Sequence, residues 1–422
     1  MTNYSVTGFR KYNILLFCMD ILADNFISLN KNIQTAFLTI EYNISRLNYL
    51  LDMYRMSMDE LLSIINNDRK TPVSIQEIET EEIKLSLLKK IDEVFKKGIN
   101  FYLDPHTLQK SKDSSIFFRK EKFNAELNLG AKKIVNHFEE FKINFSAIAK
   151  LSEIQLTREA KVFNTAQNPR DVACIVRDLL YPDFYTEKRD FLKSFIAKLS
   201  TANILVSEFV ETWNKKEKAN IDGFFLSPNV IVLKRQQNAL RREIFTLAHE
   251  LGHYLLNEEE VESIDFNETY GHSANKIENW CNEFAFSFLA GEYIDRIDQL
   301  NIANASNDYY LEIITDISKK THLSRLALYT HLLLSHKIAH SDYLSIKQDF
   351  DEQFRAKEAQ LTSQREQDKL RGIENSGRAP KPIQSPLLIS TLQTAFYVGV
   401  INEYDFCKTL NIKPDKLQQY IQ

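Results

Sequence analysis

Five residues, His249-Glu250-Leu251-Gly252-His253, restrict this chain more than any other stretch of its 422 residues. They continue Arg242-Glu243-Ile244-Phe245-Thr246-Leu247-Ala248, whose apolar positions recur at helical spacing. On an α-helix, residues four apart share a face, so His249 and His253 can present both imidazoles to one metal ion. Glu250 projects beside them, placed to take a proton from a water that the ion activates. This is the layout a zinc-dependent hydrolase needs, most often a peptidase.

Catalytic zinc takes three protein ligands and keeps one position open. The next dense helical stretch after His253 runs from Lys276 to Leu289. Its apolar residues Ile277, Trp280, Cys281, Phe284, Ala285 and Phe288 recur at spacings of three and four, so one face is expected to be buried. Glu278 borders that face, one turn before Asn282, and is the preferred third ligand. Glu283 lies roughly 140° away on the helical wheel and is expected to face solvent. His272 and Cys281 remain metal-capable alternatives close in sequence. The run Glu258-Glu259-Glu260 with Glu262 reads as a solvated turn.

The segment from Arg242 to Leu256 resembles the ImmA/IrrE family of metallo-endopeptidases, whose core reads R-x-x-F-T-L-A-H-E-L-G-H-x-L-L. A second family signature is matched by Glu278-Asn279-Trp280-Cys281-Asn282-Glu283-Phe284-Ala285. Upstream, Gly223-Phe224-Phe225-Leu226 and Asn229-Val230-Ile231-Val232-Leu233 look like the hairpin that precedes the family's active-site helix. The good match covers about residues 165 to 295. It implies a zincin-like fold, zinc ligands at His249, His253 and Glu278, and Glu250 as catalytic acid/base. One departure is Leu289-Ala290-Gly291, where the family often carries a Met-Pro or Val-Pro pair.

Composition bounds the rest. With 44% hydrophobic and 26% charged residues, the chain reads as an ordinary globular protein, and its length suggests two to four units. Only 10 Gly and 9 Pro accompany many amphipathic stretches, so the expected class is α+β and helix-rich. A zincin-like domain with a small antiparallel or mixed sheet is expected between all-helical flanks. The formal net charge of −4 exerts no general pull on nucleic acid. Cys18, Cys174, Cys281 and Cys407 lack disulfide or metal spacing and suit a reducing cytoplasm. The apolar run from Tyr12 to Leu22 is interrupted by Asp20, and no stretch approaches a membrane span.

Five regions are expected. Residues 1–150 form a helical N-terminal domain. Within it, Arg46 to Asn66 places Leu47, Leu50, Leu51, Tyr54, Leu61, Leu62 and Ile65 at helical spacing, with Ser57-Met58-Asp59-Glu60 as a cap. This segment looks like the first two helices of an XRE-type helix-turn-helix in degenerate form, without a clear recognition helix. Residues 151–299 form the metallopeptidase domain, with Asn203 to Val206 as a strand and Ser227-Pro228-Asn229 as a turn. Residues 300–353 resemble a helix-turn-helix-like unit, 354–385 read as a linker, and 386–422 as a helical extension.

The functional expectation is a cytoplasmic zinc endopeptidase whose substrate, by resemblance, is a transcriptional repressor of the XRE type. Cleavage would switch on a stress, mobile-element or phage-related response. The alternative is a non-proteolytic, antitoxin-like module on a zincin fold that binds DNA or a partner. Tyr270 and His272 are candidates to stabilise the transition state. Asn282 is placed to orient Glu278.

Overall fold

A strand buried on both faces reads as a continuous apolar run rather than an alternating one. Phe224-Phe225-Leu226 and Val230-Ile231-Val232-Leu233 are such runs, and in the computed structural model they form the centre of a small sheet. The structure describes residues 38–67, 69–108, 110, 115–119, 127–211, 218–235, 240–262, 276–371 and 381–421. Contacts divide the chain into two compact units at Glu121/Lys122.

In the first unit, strands β1 (Thr39–Glu41) and β2 (Glu82–Lys84) pair antiparallel with Ile40 opposite Ile83. The expected all-helical flank is therefore corrected. Segments of three residues are too short for periodicity to separate strand from helix, and pairing across the chain decides. Helix α1 (Ile44–Met53) is capped by the Asn43 side chain on the Ser45 N–H. Helix α2 (Met58–Asn66) begins with a reciprocal Ser57/Glu60 capping box, as the sequence pattern predicts. Leu47, Leu50, Leu51, Tyr54, Leu61, Leu62 and Ile65 are all buried. Helices α3 (Leu85–Phe95), α4 (Ile99–Leu103) and α5 (Ile116–Arg119) follow.

The second unit opens with α6 (Leu129–Leu151), α7 (Pro169–Leu180) and α8 (Lys188–Ser200). Its sheet has the order β3-β5-β4-β6, with β3 (Leu205–Phe209) parallel to β5 (Val230–Lys234). Strands β4 (Gly223–Leu226) and β5 pair antiparallel around the Ser227–Asn229 turn, and β6 (Val261–Glu262) pairs antiparallel with β4. The sheet is thus mixed. Side-chain alternation sends Phe224 and Phe209 toward Phe138 of α6, while Phe225 meets Tyr254 on the opposite face. Tyr254 belongs to α9 (Leu240–Leu256), which carries the five-residue motif. Each buried phenylalanine contributes roughly 2–3 kcal/mol from area removed from water. Helix α6 covers one sheet face, so residues 129–151 belong to this unit and not to the N-terminal one.

Helices α10 (Lys276–Ala290) and α11 (Tyr293–Asp298) follow, then α12 (Leu311–Thr321) and α13 (Arg325–Leu334), joined through left-handed His322. The expected linker from residue 354 is corrected in its first half: α14 (His340–Leu370) is continuous. Its Ala, Gln, Glu, Lys and Arg content favours helix without burial, and the stretch holds no Gly or Pro. Helices α15 (Pro386–Tyr397) and α16 (Glu403–Leu410) follow, and a 3-10 turn at Pro414–Gln419 ends the regular structure. Among the described residues, no helix is long and apolar enough to cross a membrane.

Candidate metal centre

Helix α9 is pinned to the sheet at its N-terminal half by two ion pairs. Arg242 directs Nε and Nη2 onto one carboxylate oxygen of Asp222, the residue preceding β4, with Nε at 3.1 Å. Arg235, at the end of β5, pairs with Glu243 and lies 3.8 Å from Glu208 of β3. Asp222, Arg235 and Glu243 are buried while Arg242 reaches solvent, and each buried charge has a partner, which is the condition under which burial is tolerated. The C-terminal half of α9 is then free to meet α10.

The two helices approach closely where Gly252 faces Cys281. A Cβ on Gly252 would lie 3.2 Å from the Cα, Cβ and Sγ of Cys281. Here glycine serves close approach rather than an unusual backbone angle. Three residues before Cys281 stands Glu278, and the crossing delivers its carboxylate to the two imidazoles.

His249 Nε2 lies 3.1 Å from Glu278 Oε2, His253 Nε2 lies 3.1 Å from Glu278 Oε1, and the two Nε2 atoms are 3.1 Å apart. All three side chains are buried, with 1%, 2% and 4% of the His249, His253 and Glu278 surfaces exposed. His249 Nδ1 donates to Asn282 Oδ1 at 2.9 Å, which leaves its Nε2 as a bare acceptor pointing inward. Asn282 therefore orients His249 and not Glu278, correcting the expected partner. The reason is the crossing: it turns the Asn282 face of α10 onto the first histidine. Burial pushes the Glu278 carboxyl up, but the two histidines against it, His253 foremost, outweigh burial and hold the group well below the usual carboxylate range.

These residues fit a metal ion. A tetrahedral ion bound at the usual zinc–nitrogen and zinc–oxygen lengths needs donors about 3.3 Å apart. The trio converges at nearly that spacing. Glu278 Oε1 and His253 Nδ1 are buried without a hydrogen-bond partner. Among the described residues, His249, His253 and Glu278 are the one group of histidine, cysteine and acidic side chains arranged to hold a metal.

Glu250 sits against the start of β4. A Cβ on Gly223 would come within 3.2 Å of Glu250 Oε1 and 2.7 Å of Thr246 Cγ2. Its other oxygen, Oε2, is buried with no hydrogen-bond partner. Burial first, then the negative charges of Glu278, Glu260 and Asp222, push this carboxyl up to about 8, against the pull of His253. A carboxyl so tuned can hold and release a proton near neutral pH.

Tyr270 and His272 lie outside the described residues. So does the apolar run from Tyr12 to Leu22. Glu283, expected to face solvent, instead pairs with Arg170 of α7 at 2.7 Å. Sequence reading also missed Gly223 and Gly252 as close-approach positions. The glycine inside the helical motif was a usable signal, because glycine in a helix interior costs about 1 kcal/mol and needs a reason to be there.

Residues 205–328 match the family model described as the IrrE N-terminal-like domain, a peptidase family. The match begins later and ends later than the span of about 165 to 295 read from the sequence. It contains the strands β3 to β6, both metal-site helices and α12. No curated protein and no solved structure matches the chain.

Proposed function

We propose that the chain is a zinc-dependent endopeptidase on a zincin-like fold. His249, His253 and Glu278 hold the ion, and Glu250 is the general acid/base. One observation carries this reading: three buried side chains converge with donor atoms 3.1 Å apart, on helices whose sequence falls inside a matched peptidase domain. When bound, zinc polarises the scissile carbonyl and makes water acidic enough to attack at neutral pH.

The chain's own residues supply the remaining steps. Glu250 takes the proton of the attacking water and returns it to the leaving amine. Gly223 lets β4 lie against that carboxylate, and the sheet edge beyond β6 is where an extended substrate adds as a further strand. Asn282 keeps His249 in the tautomer that offers Nε2 inward. Crowding by the sheet and α10 excludes bulk water from the trio.

The substrate we assign is a transcriptional repressor of the XRE type in the cytoplasm, on the strength of the family likeness. The test incubates the purified chain with the regulator encoded beside it, with and without chelator. Metal-dependent appearance of one discrete pair of fragments supports the reading. Glu250→Gln abolishes cleavage while zinc stays bound. A glutamine variant that cleaves at the wild-type rate removes Glu250 from the mechanism.

A further inference from the structure

A crossing at one point sets the distance between two helices but leaves sliding along the axis and rotation about it. The metal site tolerates neither, because donor distances must hold to about 0.2 Å. Helix α10 is restrained in these two directions by α7, which precedes the matched peptidase segment and lies alongside α10 with the same chain direction.

The contacts climb both helices in step. Trp280 Nε1 donates to the Gln167 carbonyl at 2.8 Å, just before α7 begins. Arg170 Nε donates to Glu283 Oε1 at 2.7 Å. Two turns later, Arg177 Nη1 donates to the Phe288 carbonyl, one of the acceptors left open at the end of α10. The central contact is itself braced. Arg170 Nη1 donates to Asp298 Oδ2 at 2.8 Å, and His331 Nε2 sits 3.3 Å from the other oxygen of that carboxylate. The His331 ring stacks on Phe286 of α10, with centroids 4.2 Å apart and planes within 4°.

We propose that Arg170 is a positioning residue for the metal site, holding the height and rotation of α10 through Glu283 so that Glu278 reaches both histidines. Glu283 stands five residues from Glu278, roughly 7.5 Å along the axis, so a slide at one is a slide at the other. The inference rests on the metal-site reading above.

The experiment measures Zn2+ affinity of the full chain by competition with a chromophoric chelator. It adds the visible spectrum of the Co2+-loaded chain, whose band intensity reports four-coordinate geometry. Arg170→Ala and Glu283→Ala each weaken Zn2+ binding roughly tenfold and dim the Co2+ bands. The double variant is no weaker than Arg170→Ala alone, because that change already removes the Glu283 contact. Asp190→Asn, which breaks the exposed Asp190–Lys193 pair, is the control and leaves affinity unchanged. If the alanine variants do not fold, Glu283→Gln and Arg170→Lys, which retain side-chain bulk, give the same comparison. Variants with a lowered melting temperature but wild-type affinity and spectrum reduce Arg170 to a structural role and overturn the proposal. Additive losses in the double variant overturn it as well. A wild-type chain that binds neither metal sinks the metal-site reading, and the clamp with it.

Discussion

Substituting Gly252 by alanine isolates the helix crossing from the chemistry it serves. The new methyl meets the Cα, Cβ and Sγ of Cys281, each at 3.2 Å, so the neighbour must give by a few tenths of an ångström. Alanine at a helix interior gains about 1 kcal/mol over glycine from backbone entropy. Overpacking a dense core costs about 1–3 kcal/mol. The metal-free chain is therefore expected to change little, losing at most about 2 kcal/mol. Metal affinity responds differently. A shift of Glu278 by a few tenths of an ångström exceeds the roughly 0.2 Å tolerance of ligand distances, so binding weakens at least about tenfold, or 1.4 kcal/mol. The assay pairs chelator-competition affinity for Zn2+ with thermal unfolding of the metal-free chain. Cys281→Ala in the same chain restores only part of the loss, since it removes Sγ and leaves two of the three contacts. A Gly252→Ala chain with unchanged affinity and stability raised by about 1 kcal/mol would refute the tight crossing.

Three further outcomes follow from the geometry. Gly223→Ala drives a methyl to 2.7 Å from Thr246 and 3.2 Å from Glu250, so peptidase turnover falls more than tenfold while Zn2+ affinity holds; paired kinetics and metal titration check this. Asn282→Ala removes the acceptor of His249 Nδ1, and Zn2+ affinity drops roughly 10- to 100-fold, measurable by the same chelator competition. Glu208 governs a pH response. Burial foremost, with Glu243 adding, pushes its carboxyl up to about 7 against the Ile383 N–H, Arg235 and Arg189. The folded chain thus favours the protonated form, and this stability is present below the unfolded pKa near 4.5 and lost as pH rises through 7. Glu208→Gln fixes the neutral form, so the fall in melting temperature between pH 5 and pH 8 becomes smaller; an unchanged fall contradicts the assignment.

The metal-site helices were legible because helical periodicity is a local property of the backbone. Spacings of four at His249 and His253, and of three and four around Trp280, Cys281 and Phe284, need no knowledge of the rest of the chain. The Ser57/Glu60 cap and the apolar strands at 224–226 and 230–233 were readable for the same reason. That Glu278 joins the histidines was readable only as a preference, since His272 competed at similar sequence distance and the choice depends on which helix face turns inward.

What the tertiary structure alone decided are contacts between residues far apart in the chain, which leave no periodic trace. Arg170 and Glu283 are charged residues on two amphipathic helices, and either would be comfortable in water. Only the alignment of α7 with α10 makes them partners. Ile40 finds Ile83 through a strand pairing that neither three-residue segment announces. Asn282 serves His249 because the crossing angle turns it that way. Chain order specifies which groups are available. Packing, which must satisfy every buried donor, acceptor and volume at once, selects which of them meet.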